Sequence, residues 1–336
     1  MKTQDAVGQV LCHDITQIIK GVTKDAVFRK GHVITEEDIP VLLSVGKDNV
    51  YIWEKGEKKL HENEAAEILR EMCQGEYMHP TPVKEGKIEL VADIDGLLKV
   101  NSDKIKKVNS MGEMMIASRH GNFAVKKGDK LAGTRIIPLV IEKEKMESAK
   151  AVCEGQTILS LKPFVHKKVG IVTTGNEVYY HRIEDTFTPV IKEKLADYDT
   201  EVIGQVVCND DHEKITKAIL SLIEKGADLV LCTGGMSVDP DDKTPLAIKN
   251  TGAKIVSYGA PVLPGAMFLL SYYNEDIPIV GLPGCVMYAK RTIFDLALPR
   301  IMADDKITAE ELAELGEGGL CLNCSVCTFP NCGFGK

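Results

Sequence analysis

The chain has 336 residues, 44% of them hydrophobic and 27% charged, with a formal net charge of −8. That length suggests roughly two domains, each large enough for its own core, and the acidic balance argues against a nucleic-acid backbone as the main partner. No apolar run reaches the ~18–20 residues of a membrane span, and the amino terminus lacks a signal peptide's apolar core. Ten cysteines then fit a reducing compartment, and the cytoplasm is the expected location.

In chain order, Val7 to Trp53 reads as short strands around a capped helix. Thr35 with Asp38 ahead of an apolar run is an N-terminal cap signature, and Gly46 supplies a stop. From Trp53 to Arg70, Glu alternates with Lys and Arg at helical spacings, which predicts a solvated helix face after a turn. His32, His61, His79 and His120 do not stand at metal spacing and read as exposed or core-satisfied imidazoles. Gly128, Gly133 and Pro138 mark turns before the pattern changes.

Beyond residue 165 the pattern becomes strand, helix, strand, helix, which predicts parallel strands with crossover helices. The expected strands are Val169 to Thr173, Ala227 to Cys232 and Ile277 to Gly281, and the expected helices Thr188 to Asp197, His212 to Glu224, Pro245 to Asn250 and Val286 to Met302. Parallel crossovers put the strands' carboxyl ends on one sheet edge, so Gly175, Gly234 and Gly284 should converge there. The most informative stretch is Thr233 to Pro245 (TGGMSVDPDDKTP). A strand running into glycines and then a helix start presents free backbone N–H groups to an anion. Asp239, Asp241 and Asp242 offer hard oxygen ligands for a Mg²⁺ shared with a phosphate. The alternative is a solvated acidic turn with Thr244 or Asp242 as a helix N-cap.

VGIVTTGNEV, VVCNDD, ADLVLCTGGMSVDPDDKTP, VLPG and GLPG follow one another in an order that resembles molybdopterin-binding domains: those of molybdopterin adenylyltransferase, gephyrin and the molybdate-inserting molybdopterin molybdenumtransferase. The resemblance covers roughly Val165 to Ala303. It implies a pocket for molybdopterin or its adenylylated form, in which Thr233, Gly234, Gly235 and Ser237 hold the phosphate side, Thr174 and Gly175 also bind the cofactor, and Pro264, Gly265, Pro283 and Gly284 form ligand-facing loops. Glu177, Asp210 and Asp242 fall on the family's acidic positions, associated with Mg²⁺, molybdate or the adenylylated cofactor. Three departures accompany the match. Cys285-Val286 replaces the insertase's Asn-Pro, Asn176 stands where many relatives have Asp, and Asp239 replaces a glycine. Cys285 is either a thiol facing the cofactor or a small buried hydrophobe at a helix start. The insertase's SAMDGYA-type motif, with its active-site Asp, and its TGA-containing loop do not occur in the amino-terminal half.

The carboxyl end carries CLNCSVCTFPNC. Cys321, Cys324, Cys327 and Cys332, spaced C-x2-C-x2-C-x4-C, resemble iron–sulfur ligands; a structural zinc and an unliganded thiol tail are the alternatives. The expected fold is α/β: a three-layer domain with a mostly parallel sheet (165–305), an amino-terminal mixed α+β region (1–164) and a short Cys-rich tail (306–336). By resemblance the activity is that of a molybdopterin molybdenumtransferase-like transferase. Adenylylation of the pterin, and a non-catalytic carrier role toward a molybdoenzyme, stay open beside it, as does a homodimer.

Overall fold

A computed structural model of the chain describes residues 1–19, 21, 23–52 and 58–336. Residues 53–57, the start of the charged run read as a turn and helix, lie outside them. Two compact units emerge: residues 1–93, 101–119 and 128–160 in one, residues 94–100, 120–127 and 161–336 in the other. Among the described residues no helix is long and apolar enough to cross a membrane.

The first unit is mixed α and β. A four-stranded antiparallel sheet orders Met78–Pro80, Ile88–Ala92, Lys130–Ile136 and Met114–Ser118. Ile88, Leu90 and Ala92 alternate inward, as a half-buried strand requires. The helix Glu62–Cys73 covers this sheet with Ala65, Ala66, Leu69, Met72 and Cys73. Its cap is His61, whose ring nitrogen accepts from the Asn63 N–H and whose own N–H donates to the Cys12 carbonyl. That imidazole is core-satisfied, as the sequence predicts. The Thr35–Asp38 pair also forms, but inverted: the Asp38 carboxylate accepts from the Thr35 N–H and hydroxyl, and the helix begins at Asp38. Gly46 closes that helix at φ +76°.

The second unit is built on a six-stranded sheet. Its strands are β1 (Lys167–Thr174), β2 (Thr200–Cys208), β3 (Leu229–Thr233), β4 (Lys254–Tyr258), β5 (Leu269–Tyr273) and β6 (Ile277–Leu282), in the order β2-β1-β3-β6-β5-β4. The first four in that order run parallel; β5 and β4 add antiparallel to the edge. Val169, Ile171, Leu229, Leu231, Val280 and Leu282 face one core, shared with helices Phe187–Leu195 and Ile293–Met302. Val172, Val230, Cys232 and Ile279 face the other, shared with helices His212–Glu224 and Thr244–Asn250. Burial on both faces is why these strands read as unbroken apolar runs, and it gives the three layers. On His212–Glu224, Ile215, Ala218, Ile219 and Leu222 recur at helical spacing, and Asp211 caps the start through the Glu213 and Lys214 N–H groups.

One expectation is corrected. The helix predicted over Val286 to Met302 is split into a single turn, Gly284–Met287, and a helix beginning at Ile293. Thr292 and Asp295 form a capping box that starts the second piece afresh. The tail is drawn in: Phe334, only 4% exposed, joins Phe123 and Phe294 in the core, with Cys321, Phe329 and Cys332 packed against it. Asp305, itself buried, fixes the start of this region through Lys99, Lys162 and Arg300 at 2.6–2.8 Å. Burial pushes its carboxyl up, but hydrogen bonds from Lys162 and Lys99 and the charge of Arg300 bring it down to about 2.

Candidate functional site

The sheet register sets Thr173 beside Thr233 and Thr233 beside Leu282, so the loops opening at Gly175, Gly234 and Pro283-Gly284 leave neighbouring parallel strands at one edge. The convergence predicted from the crossover pattern is therefore present. Gly234, at φ +81°, lies so close to Thr174 that a Cβ there would overlap its carbonyl oxygen. At Gly235, φ +54°, a Cβ would stand 2.9 Å from the Thr244 hydroxyl. Only glycine allows the backbone to fold back this tightly.

Thr244 is the knot of the loop. Its hydroxyl donates to the Gly234 carbonyl at 2.9 Å and bonds the Thr174 hydroxyl at 3.0 Å, while its N–H donates to Gly235 at 3.2 Å. It is fully buried and opens the helix Thr244–Asn250; neither it nor Asp242 acts as a side-chain N-cap there. Tyr258 holds the outer part of the same loop through the carbonyls of Met236, at 3.0 Å, and Ser237. Ser237 itself is exposed. Sequence reading saw Thr244 only as a cap candidate and gave no signal for Tyr258, because its partners are backbone atoms more than twenty residues away. Asp185 was missed as well. Its carboxylate accepts from the Phe187 and Thr188 N–H groups and from Thr188, Gln205 and Thr173, which fastens the end of β1.

Thr233 differs from these. It is fully buried at the end of β3, and its hydroxyl has no hydrogen-bond partner. Unpaired buried hydroxyls are costly.

The carboxylates gather around Asp210, which accepts from the Asn176 N–H at 3.0 Å. Burial first, and then the charges of Glu177, Asp241 and Asp242, push the Asp210 carboxyl above its ordinary range. Glu177 packs beneath Gly175. Asp242 turns back on its own loop, accepting from the Asp239 N–H at 3.3 Å, and its charge adds to burial in raising the Tyr258 hydroxyl. Among the described residues no three His, Cys, Asp or Glu side chains are close enough to share a single ion.

The two proline loops differ. Gly284 faces open space, whereas Gly265 is backed by Ile293, whose N–H donates to the Pro264 carbonyl at 3.2 Å. Cys285 is half-buried in the turn after Gly284, and burial raises its thiol. Cys321, Cys324, Cys327 and Cys332 lie apart from the glycine loop, on the wall of one cavity of about 210 Å³.

Residues 170–303 match the family model described as "Probable molybdopterin binding domain", and residues 1–54 match a domain of unknown function, DUF8806. The segment 170–303 thus belongs to the molybdopterin-binding domain family, and it contains the glycine loop, Asp210 and both proline loops. A "CinA-like protein" of Mycobacterium avium is 32% identical over 80 residues, 24% of this chain and 18% of that protein; one from Mycobacterium tuberculosis is equally similar over 24% and 19%. The chain therefore spans about a fifth of the length of these curated relatives. Among solved structures, the molybdopterin biosynthesis enzyme MoaB of Thermus thermophilus is 24% identical, covering 40% of this chain and 91% of its own at a TM-score of 0.34. A CinA protein of unknown function from Thermoplasma acidophilum is 20% identical, covering 40% and 98%, also at 0.34.

Proposed function

We propose that the chain acts in molybdenum cofactor biosynthesis by binding molybdopterin, or its adenylylated form, along the edge where β1, β3 and β6 end. The observation that carries this reading is the buried, unpartnered Thr233 hydroxyl beneath two glycines that admit no side chain. A phosphate or pterin polar group would complete it, while the Gly234–Gly235 backbone approaches the ligand. Among the described residues Glu177, Asp210 and Asp242 are not close enough to share one ion, so a Mg²⁺ at this edge would be held jointly with the ligand's phosphate oxygens; its charge would offset the carboxylate repulsion that adds to burial in raising Asp210. Molybdate, an anion, needs that cation before it can lie beside these carboxylates.

The finer reading is a molybdenumtransferase-like activity, in which the Asn176 N–H orients Asp210 and the glycine loop excludes water from the phosphate. A carrier role toward a molybdoenzyme competes with it, favoured by the missing SAMDGYA-type Asp. AMP release from adenylylated molybdopterin, with and without molybdate, separates the two. For binding itself, Thr233→Val is the sharpest test. Removing an unpaired hydroxyl should leave the free chain as stable or more so, yet weaken molybdopterin binding about tenfold in calorimetry. Equal affinity of variant and wild type, or no affinity of the folded wild type for either cofactor form, refutes the assignment.

A further inference from the structure

The second concentration of chemistry-bearing side chains is the carboxyl-terminal region, and nothing in the pterin reading uses it. Cys321, Cys324, Cys327 and Cys332 line a single cavity of about 210 Å³ together with Lys290, Arg291 and Phe329. A tetrahedral zinc needs four thiolates drawn to about 2.3 Å from one ion. Among the described residues no three of these thiols are that close. A cube of four irons and four sulfides binds one thiolate at each of four separate iron corners, so its ligands stand further apart than those of a single ion.

The frame around the thiols is built rather than loose. Cys321 is fixed by a short parallel ladder: its N–H donates to the Leu263 carbonyl, and the Leu263 N–H donates to the Gly319 carbonyl, both at 2.8 Å. Lys290 donates to the carbonyls of Cys324 at 3.2 Å and Ser325 at 2.9 Å, pinning the turn that carries the middle cysteines. Arg291 stacks on Phe329, 4.9 Å from the ring centroid, and its Nε is buried without a hydrogen-bond partner. Cys332 packs against the core that contains Phe334. Four thiolates on a [4Fe–4S]²⁺ core make a dianion; Lys290, which donates to backbone carbonyls, stands on the same wall, next to Arg291, whose guanidinium pairs with Asp295 at 2.9 Å.

We propose that Cys321, Cys324, Cys327 and Cys332 ligate one [4Fe–4S] cluster in this cavity, with Lys290 compensating part of its charge. The site is independent of pterin binding, so either assignment can fail without the other.

The test uses the full chain, purified anaerobically and reconstituted with ferrous iron, ferric iron and sulfide. About four iron and about four acid-labile sulfide per chain are expected, with broad visible absorption that bleaches under dithionite. Cys324 and Cys327 are exposed, so Cys324→Ser/Cys327→Ser should keep the wild-type far-UV spectrum while losing iron and colour. Cys285→Ser, outside the cavity lining, should retain both. Stoichiometric zinc without colour overturns the proposal, as does a centre of about two irons. So does undiminished iron in the double variant, or a metal-free chain whose four thiols alkylate freely.

Discussion

Gly234→Ala tests whether the site rests on a close backbone approach, and Gly252→Ala supplies a control matched in backbone angle. The two glycines have φ of +81° and +85°. Each alanine meets the left-handed penalty of about 1–2 kcal/mol. At Gly252 nothing stands within 4 Å of the added carbon, so that penalty is the whole effect. At Gly234 the carbon overlaps the Thr174 carbonyl oxygen and stands 2.9 Å from the Thr174 hydroxyl, and overpacking of this kind adds about 1–3 kcal/mol. Gly234→Ala should therefore lose about 2–5 kcal/mol and Gly252→Ala about 1–2, measured from urea transitions of equal slope. Because the overlap pushes apart the ends of β1 and β3, molybdopterin affinity should fall in the first variant and persist in the second. Equal stability losses would refute the reasoning, since they would leave the Thr174 contact without energetic consequence.

Asp210 has a carboxyl pKa raised in the folded chain, so the folded state holds that proton more tightly than the unfolded state and loses stability as pH rises through the folded value. Asp210→Asn keeps an acceptor for the Asn176 N–H and removes the repelled charge; it should stabilise the chain at neutral pH, less so at acid pH, and weaken Mg²⁺ binding in titration calorimetry. A stability gain independent of pH contradicts that account. Phe334→Ala should cost about 3–5 kcal/mol in urea unfolding, as a large aromatic truncation in a core does, because the residue is only 4% exposed among Phe123 and Phe294. A loss below about 1 kcal/mol would mean that the tail contributes nothing to that core.

The parallel strands and their glycine ends were legible in the sequence because burial on both faces leaves Val169 to Thr173 and Leu229 to Cys232 without a polar interruption. The antiparallel pair β4 and β5 was not. Its strands mix tyrosines, serines and a lysine with apolar residues, a pattern that alone does not separate strand from loop. Glycines and carboxylates of the candidate site could be read locally, since their chemistry lies in their own backbone and charge. Thr244 and Tyr258 act on residues ten and more than twenty positions away, and only the folded loop brings them there. The four cysteines were visible by spacing, whereas the cations beside them, Lys290 and Arg291, arrive from a different strand end.

The core that supports the glycine loop is assembled from separated lengths of chain: residues 94–100 and 120–127 belong to the same compact unit as residues 161–336. A contiguous stretch of sequence and a compact unit are therefore different objects in this protein. An isolated 165–305 segment would retain every residue of the glycine loop while stripping Phe123 and Phe334 from the aromatic cluster behind the helix Ile293–Met302. Native-state hydrogen exchange should accordingly group Phe123 with β1 and β3, not with its neighbours in sequence at 101–119 and 128–160.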